Sequence, residues 1–398
     1  MSGSTRGTVL ISGASIAGPA LAFWLGRYGF DVTVVEKAAA LRGGGYPIDI
    51  RGTALEVVRR MGILSRLRAA HVDTQKITFL DADGSPITSL RPAALADGNE
   101  SSDLEVRRGD LADALYDAVR ADTEFIFDDS IAALDDHEGG VDVTFHNGVQ
   151  RRFDLVIGAD GLHSNTRSLV LGPEEPFHRY LGYCFAGFTL PNDFGLSHEG
   201  VVWNVPGRAA ALYAVGDGDE LFGFLPFARS EPPFAAFRDP GAQRDLVASV
   251  FAGDHWEIPR LVAAMRAADD LFFDVVSQIH LPRWSAGRVA FVGDAAYAPS
   301  FLTGQGTSLA LVGAYMLAGA LATEPDHAAA FAAYERSTRK FVEMNQALVT
   351  GGDAALFPST PESLAARNDA LRGRTSLPTE AERPEYSALT LPDFAAAP

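Results

Sequence analysis

Two glycine clusters set the chemistry open to this chain. The first is Gly13-Ala14-Ser15-Ile16-Ala17-Gly18. Glycines at its outer positions let the chain turn tightly out of a strand and let the next helix pack closely. The helix N-terminus then offers unpaired N–H groups to a pyrophosphate. Ser15 holds the middle position, small enough for a phosphate to approach and able to donate. Glu36, followed by Lys37, closes the next strand, where a carboxylate accepts from ribose hydroxyls and disfavours a 2′-phosphate. The second cluster is Gly293-Asp294, with Gly304-Gln305-Gly306-Thr307 beyond it. Asp294 is placed to accept from a sugar-like hydroxyl, and the Gly304/Gly306 turn opens a helix whose N-terminus stabilises negative charge. The first cluster alone fits FAD or NAD rather than NADP. A nucleotide gripped at both ends points to FAD, whose reduced ring carries negative charge at its N1/C2 carbonyl edge.

The elements that must position these residues are legible. Thr8–Ser12, residues 31–35, 154–158 and 288–292 are short continuous apolar runs, as expected of strands buried on both faces. The run at 154–158 delivers Asp160 and Gly161 to a loop, with Ser164 and Arg167 beyond. Helices are expected over 19–28, 54–70 and 109–120; the arginines 59, 60, 66 and 68 on the second read as a solvated face. Residues 76–90 have strand character with a turn at Asp83-Gly84, and 92–103 read as a polar loop. From Phe177 to Leu281 the texture changes to aromatic and β-branched runs separated by glycine and proline (183–189, 201–205, 210–215, 221–225), then a helix over 243–251. The fold class expected is α/β: a Rossmann-like FAD-binding domain, a second domain built on an antiparallel β-sheet, and a C-terminal helix and tail. The expected bounds are 1–71, 101–175 and 285–345 for the first, and 72–100 and 176–284 for the second. Residues 346–398 form the tail, loosely packed beyond Pro358.

Composition removes other classes. A formal net charge of −18 argues against a sequence-independent grip on nucleic acid or anionic membrane. The single cysteine, Cys184, excludes an internal disulfide and reads as a small buried hydrophobe. The nine histidines show no metal-ligand spacing, so no metal is expected. The N-terminus lacks a basic-then-apolar signal, and the apolar run over 309–322 is short and broken by Gly313 and Gly319. A cytoplasmic protein without membrane insertion is expected.

The three glycine-bearing segments, in this order and spacing, resemble the class A FAD-dependent aromatic monooxygenases, the para-hydroxybenzoate hydroxylase-like family. The length is most like the short tetracycline-modifying and polyketide-tailoring members. The resemblance implies that Arg108, in Arg108-Gly-Asp110-Leu111, contacts the cofactor's phosphate region, and that Arg51 neighbours the isoalloxazine. It implies non-covalent FAD, NAD(P)H as transient co-substrate, and O2 activation through a C4a-hydroperoxide to hydroxylate an aromatic or polyketide-like molecule of secondary metabolism. Catalysis would then be flavin-centred, with no acid–base or nucleophilic side chain assigned. Baeyer–Villiger, epoxidation or simple oxidation on the same fold, and a ligand-sequestering protein without catalysis, are the competing readings. A tryptophan halogenase is disfavoured, since Trp203-Asn-Val-Pro206 lacks the second tryptophan and the isoleucine of the halogenase W-x-W-x-I-P pattern. Three positions depart from the family: Tyr297 stands for histidine, Phe301 for proline, and Ser308 for asparagine. Tyr297 and Phe301 are thereby expected flavin neighbours. A dry, closed pocket is required. Phe185, Trp203, Tyr213, Phe222 and Phe224 are its candidate lining, with Phe222 and Phe224 on one face of a strand. A monomer or weak dimer is expected.

Overall fold

Val9, Leu10 and Ile11 are wholly buried, and their strand Thr8–Ser12 lies inside a six-stranded sheet. It pairs in parallel with Asp31–Glu36 on one side and with Leu155–Gly158 on the other. Val289–Phe291 continues the parallel pairing beyond Leu155–Gly158. Parallel strands end on one edge, so the loops after residues 12, 158 and 291 meet there although they lie far apart in the chain. Helix Ala17–Arg27 packs against helix Gly306–Thr323, which is buried in turn against His327–Gln346. Gly306–Thr323 is the one helix among the described residues long and apolar enough to cross a membrane, and it is mostly enclosed by protein. The structure is a computed structural model that describes residues 5–41, 46–91, 103–214, 216–234, 236–237, 239–349, 357–374 and 383–394. Apart from Asp103, the loop expected over 92–103 lies outside them, as does Val215.

A seven-stranded sheet forms the second layer. Its order is Phe272–Ile279, His178–Pro191, Glu220–Ala228, Arg208–Ala214, Glu199–Val205, Lys76–Leu80 and Pro86–Leu90. All neighbours are antiparallel except Glu199–Val205 with Lys76–Leu80, which run parallel. One face packs on helices Pro240–Val250 and Ile258–Ala267, through Cys184, Phe188, Trp203, Leu212, Leu225 and Phe251. On the other face Phe185 and Phe224 meet Phe301, which precedes the Gly304 turn.

Several local expectations change. The helix expected over 54–70 is two helices, Thr53–Arg60 and Leu64–Ala69, parted at Gly62, whose φ of +78° ends the first. Strands Ile131–His137, Gly140–Phe145 and Gln150–Phe153 form a small antiparallel sheet that is not among the elements expected from sequence. The tail is not loose over 383–394. Tyr386 is buried, Thr53 Oγ1 donates to the Leu389 carbonyl (2.7 Å), and Tyr315 Oη and Arg60 Nη1 donate to the Pro392 carbonyl (2.6 and 2.8 Å).

Candidate active site

Gly18 stands so close to the Gly13 carbonyl that a Cβ would sit 1.9 Å from its oxygen, so only glycine lets the loop fold back on the strand. The helix that follows begins at Ala17 without a side-chain cap, leaving its first N–H groups for a ligand. Arg108 Nη2 donates to Ser15 Oγ (2.6 Å), which brings a cation and a hydroxyl to the same uncapped terminus. Ser15 in place of the usual middle glycine therefore adds a polar atom that Arg108 holds. Glu36 accepts from the backbone N–H of Ala14 (2.9 Å) and of Ala38 (3.0 Å), which fixes its carboxylate at the strand end; Lys37 beside it is exposed. Ile16 and Ala17 are buried under the loop. Cation, hydroxyl, open helix terminus and carboxylate form a donor and acceptor set that fits the pyrophosphate and ribose of FAD.

The downstream cluster meets this loop. A Cβ on Gly293 would lie 3.1 Å from the Ala17 Cβ and 3.6 Å from the Ala310 Cβ, so Gly293 is wedged between two helix starts. Asp294 is accessible from this edge, and its Oδ1 faces Gly306, at the head of the helix that carries Thr307. Surrounding protein raises its carboxyl to about 6; Asp274 adds to the rise while Arg108 and Arg167 oppose it. The Gly304 turn lies beside Asp49 and Arg51. Arg51 pairs with Asp49 (2.8 Å), its N–H donates to Ser308 Oγ (3.1 Å), and its guanidinium lies over the Tyr386 ring. The departure at Ser308 thus ties Arg51 to the helix start.

Between the two ends, Asp160 is occupied by its own loop. Its carboxylate accepts from Ser164 Oγ (2.5 Å), and from the Thr166 N–H (2.9 Å) and hydroxyl (2.8 Å). These bonds commit the Asp160 carboxylate to the shape of its own loop. Arg167, wholly buried, fastens that loop by donating to the carbonyls of Ala295 (3.0 Å) and Leu162 (2.7 Å) and to Glu174. Neither Glu174 nor His163 carried a signal in the sequence reading. His163 bridges Glu174 (Nδ1, 2.8 Å) and Asp274 (Nε2, 3.1 Å). Burial would lower its pKa, but those two carboxylates hold it up at about 9, so it is an imidazolium at neutral pH.

The family departures separate. Tyr297 is buried and turned away from this edge; its hydroxyl meets Tyr334 Oη (2.8 Å) and its ring packs on Trp284 (4.5 Å). It is a core residue, which corrects the expectation of a flavin neighbour. Phe301 instead joins the aromatic cluster on the inner face of the seven-stranded sheet, 4.9 Å from Phe185 and 5.4 Å from Phe224 between ring centroids. Phe222 lies on that same face, 5.7 Å from Tyr46. Tyr213 donates to Glu105 (2.6 Å) and meets Thr74 (2.6 Å). Trp203 is on the wrong face for a pocket: its ring stacks with Trp256 and its Nε1 donates to the Ala82 carbonyl (3.0 Å). Among the described residues no cluster of three metal-ligating side chains occurs.

Comparison with known proteins agrees with this geometry. Residues 6–179 match the FAD binding domain family FAD_binding_3. A flavin-dependent monooxygenase from an unknown prokaryotic organism is 39% identical over 382 residues, 95% of this chain and 98% of the relative. An uncharacterized protein of Mycobacterium tuberculosis (strain H37Rv) is 44% identical over 345 residues, covering 86% of this chain and 92% of its own length. The crystal structure of tetracycline destructase Tet(55) superposes with a TM-score of 0.83 at 37% identity, over 98% of this chain and 99% of that one. With an FAD cradle built from its own glycines and with relatives matched along nearly their whole length, the chain belongs to the class A flavin-dependent monooxygenases and is an FAD-dependent enzyme.

Proposed function

We propose that this monooxygenase takes NAD(P)H and O2 to hydroxylate a flat aromatic or polyketide-like molecule held on the inner face of the seven-stranded sheet. The observation that carries this reading is an alternation of access along three neighbouring strands. Val202, Ala211, Tyr213, Phe222 and Phe224 on the inner face are partly accessible, while Trp203, Ala210, Leu212, Leu221 and Leu225 between them are buried. An apolar face left partly open beside Phe301 is a binding surface rather than a core. Bound FAD supplies acceptance of hydride from the nicotinamide and activation of O2. The chain's own task is to hold and to dry. Arg108, Ser15 and Glu36 hold the nucleotide end, Asp294 and the Gly306 helix hold the flavin end, and Phe185, Phe224 and Phe301 exclude water from the reacting face.

The likeness to a tetracycline destructase makes tetracycline the first compound to try. The FAD-loaded protein is expected to oxidise NADPH or NADH severalfold faster when a substrate is added, with a product 16 mass units heavier. A panel of tetracyclines, anthracyclines and simple phenols that neither binds nor accelerates turnover would overturn the substrate class. We further propose the discontinuous partition (1–71, 101–175 and 285–345 for FAD; 72–100 and 176–284 for substrate), a cytoplasmic monomer or weak dimer, and a place in secondary metabolism.

A further inference from the structure

Helix Pro361–Arg372 carries an arginine whose charge no described side chain neutralises. Arg367 Nη2 donates to Asn204 Oδ1 (2.8 Å), its Nε donates to Asn368 Oδ1 (2.9 Å), and its Cζ lies 5.4 Å from the Phe79 ring centroid. All three partners are uncharged. Asp369, two positions on, pairs with Arg372 instead. Nη1 is shielded from solvent and has no hydrogen-bond partner. Burial alone acts on the titration of the group, pushing it down to about 10. The chain has 51 acidic residues against 33 basic ones, yet among the described residues no carboxylate pairs with Arg367. A guanidinium oriented by two amides and a ring, with no counter-charge among the described residues, is costly unless a ligand completes it.

The register shows which side chains lie in line with Arg367. Phe272, Gly187, Phe224, Ala211, Val202 and Phe79 are successive partners across six strands, all on the inner face. Phe224 touches Phe301 midway along the row, and Arg367 covers Phe79 at its end. Between them Ala211 and Val202 are small. Strands sit about 4.8 Å apart, so Phe224 and Phe79 are separated by roughly 14 Å, the length of a few fused rings. We propose that Arg367 is a specificity-determining anchor for an anionic oxygen (carboxylate, enolate or phenolate) at the end of a flat substrate remote from the reacting carbon. Nη1, the nitrogen without a partner, offers such an oxygen a charge-assisted hydrogen bond. This inference rests on the inner face being the substrate face.

The test uses two matched probes, anthracene-2-carboxylate and anthracene-2-carboxamide, titrated into FAD-loaded protein by ligand fluorescence. The carboxylate is expected to bind at least tenfold more tightly than the carboxamide, a comparison that needs no variant to fold. R367Q is expected to bring the two within twofold while leaving carboxamide affinity unchanged, and R367K to keep part of the preference. A211F, which fills the row, is expected to abolish binding of both. Equal affinities in the unaltered protein, or a preference that survives in R367Q, would overturn the anchor alone. Failure of both probes to bind, or binding untouched by A211F, would overturn the substrate face and the anchor with it.

Discussion

Gly313 and Tyr297 form a pair that a double-mutant cycle can resolve. A Cβ on Gly313 would lie 1.8 Å from Tyr297 Oη, 3.1 Å from Cζ and 3.4 Å from Val292 Cγ2. Alanine in the interior of helix Gly306–Thr323 gains about 1 kcal/mol over glycine. Against that, forcing a methyl into a closed core costs about 1–3 kcal/mol, and a contact of this kind belongs at the upper end. G313A alone should therefore destabilise by about 2 kcal/mol. Y297F alone loses the bond to Tyr334, worth about 1 kcal/mol, while Tyr334 keeps the Phe291 carbonyl (3.3 Å) as acceptor. With the hydroxyl gone the nearest atom is the ring carbon, which has to yield by only a few tenths of an ångström, so G313A in Y297F should be close to neutral. The expected coupling is about 2 kcal/mol, read as the shift in thermal unfolding of FAD-loaded protein. Equal costs of G313A in both backgrounds would refute the placement of Tyr297 in the core.

Three further outcomes follow from the site. Ser300 holds φ +78° and ψ 143°, a conformation that strains any residue but glycine, so S300G should raise stability by about 1 kcal/mol in chemical denaturation. His163 has a folded pKa of about 9, above the unfolded value of about 6.5, so its contribution is complete below pH 6.5 and lost as pH rises through 9. Melting temperatures between pH 6 and 10 should therefore fall more steeply for the unaltered protein than for H163Q, and parallel curves would contradict the bridge. R108Q removes the cation beside Ser15 and should weaken FAD retention by roughly 10- to 100-fold in equilibrium dialysis, the worth of a charged hydrogen bond.

What the sequence discloses and what it hides have physical causes. Buried parallel strands read as unbroken apolar runs, so Thr8–Ser12, Leu155–Gly158 and the loops they carry are legible. Alternation shows that Phe222 and Phe224 share a face, but not which face is the core; Trp203, two strands away in the same sheet, falls on the other side for that reason. The change to Tyr297 is visible, yet its room is made by Gly313 on the next long helix, which looks in the sequence like a mere break in an apolar run. Composition beyond Pro358 suggests a loose tail, because nothing local marks Thr53, Arg60 and Tyr315 as its receivers. Strands Ile131–His137 and Gln150–Phe153 are half-exposed and charged, with too little apolar alternation to be recognised. The family resemblance implies Arg108 at the phosphate region, while its hydrogen bond to Ser15 is visible only in the structure, since no spacing rule joins the two.

Oxygen tracing tests the assignment of the reaction most directly. With a substrate that accelerates NAD(P)H oxidation, turnover under 18O2 should place one labelled oxygen atom in each product molecule, at a stoichiometry near one nicotinamide consumed. Product that takes no label from 18O2, or takes it from labelled water, would contradict a monooxygenase held together by these residues.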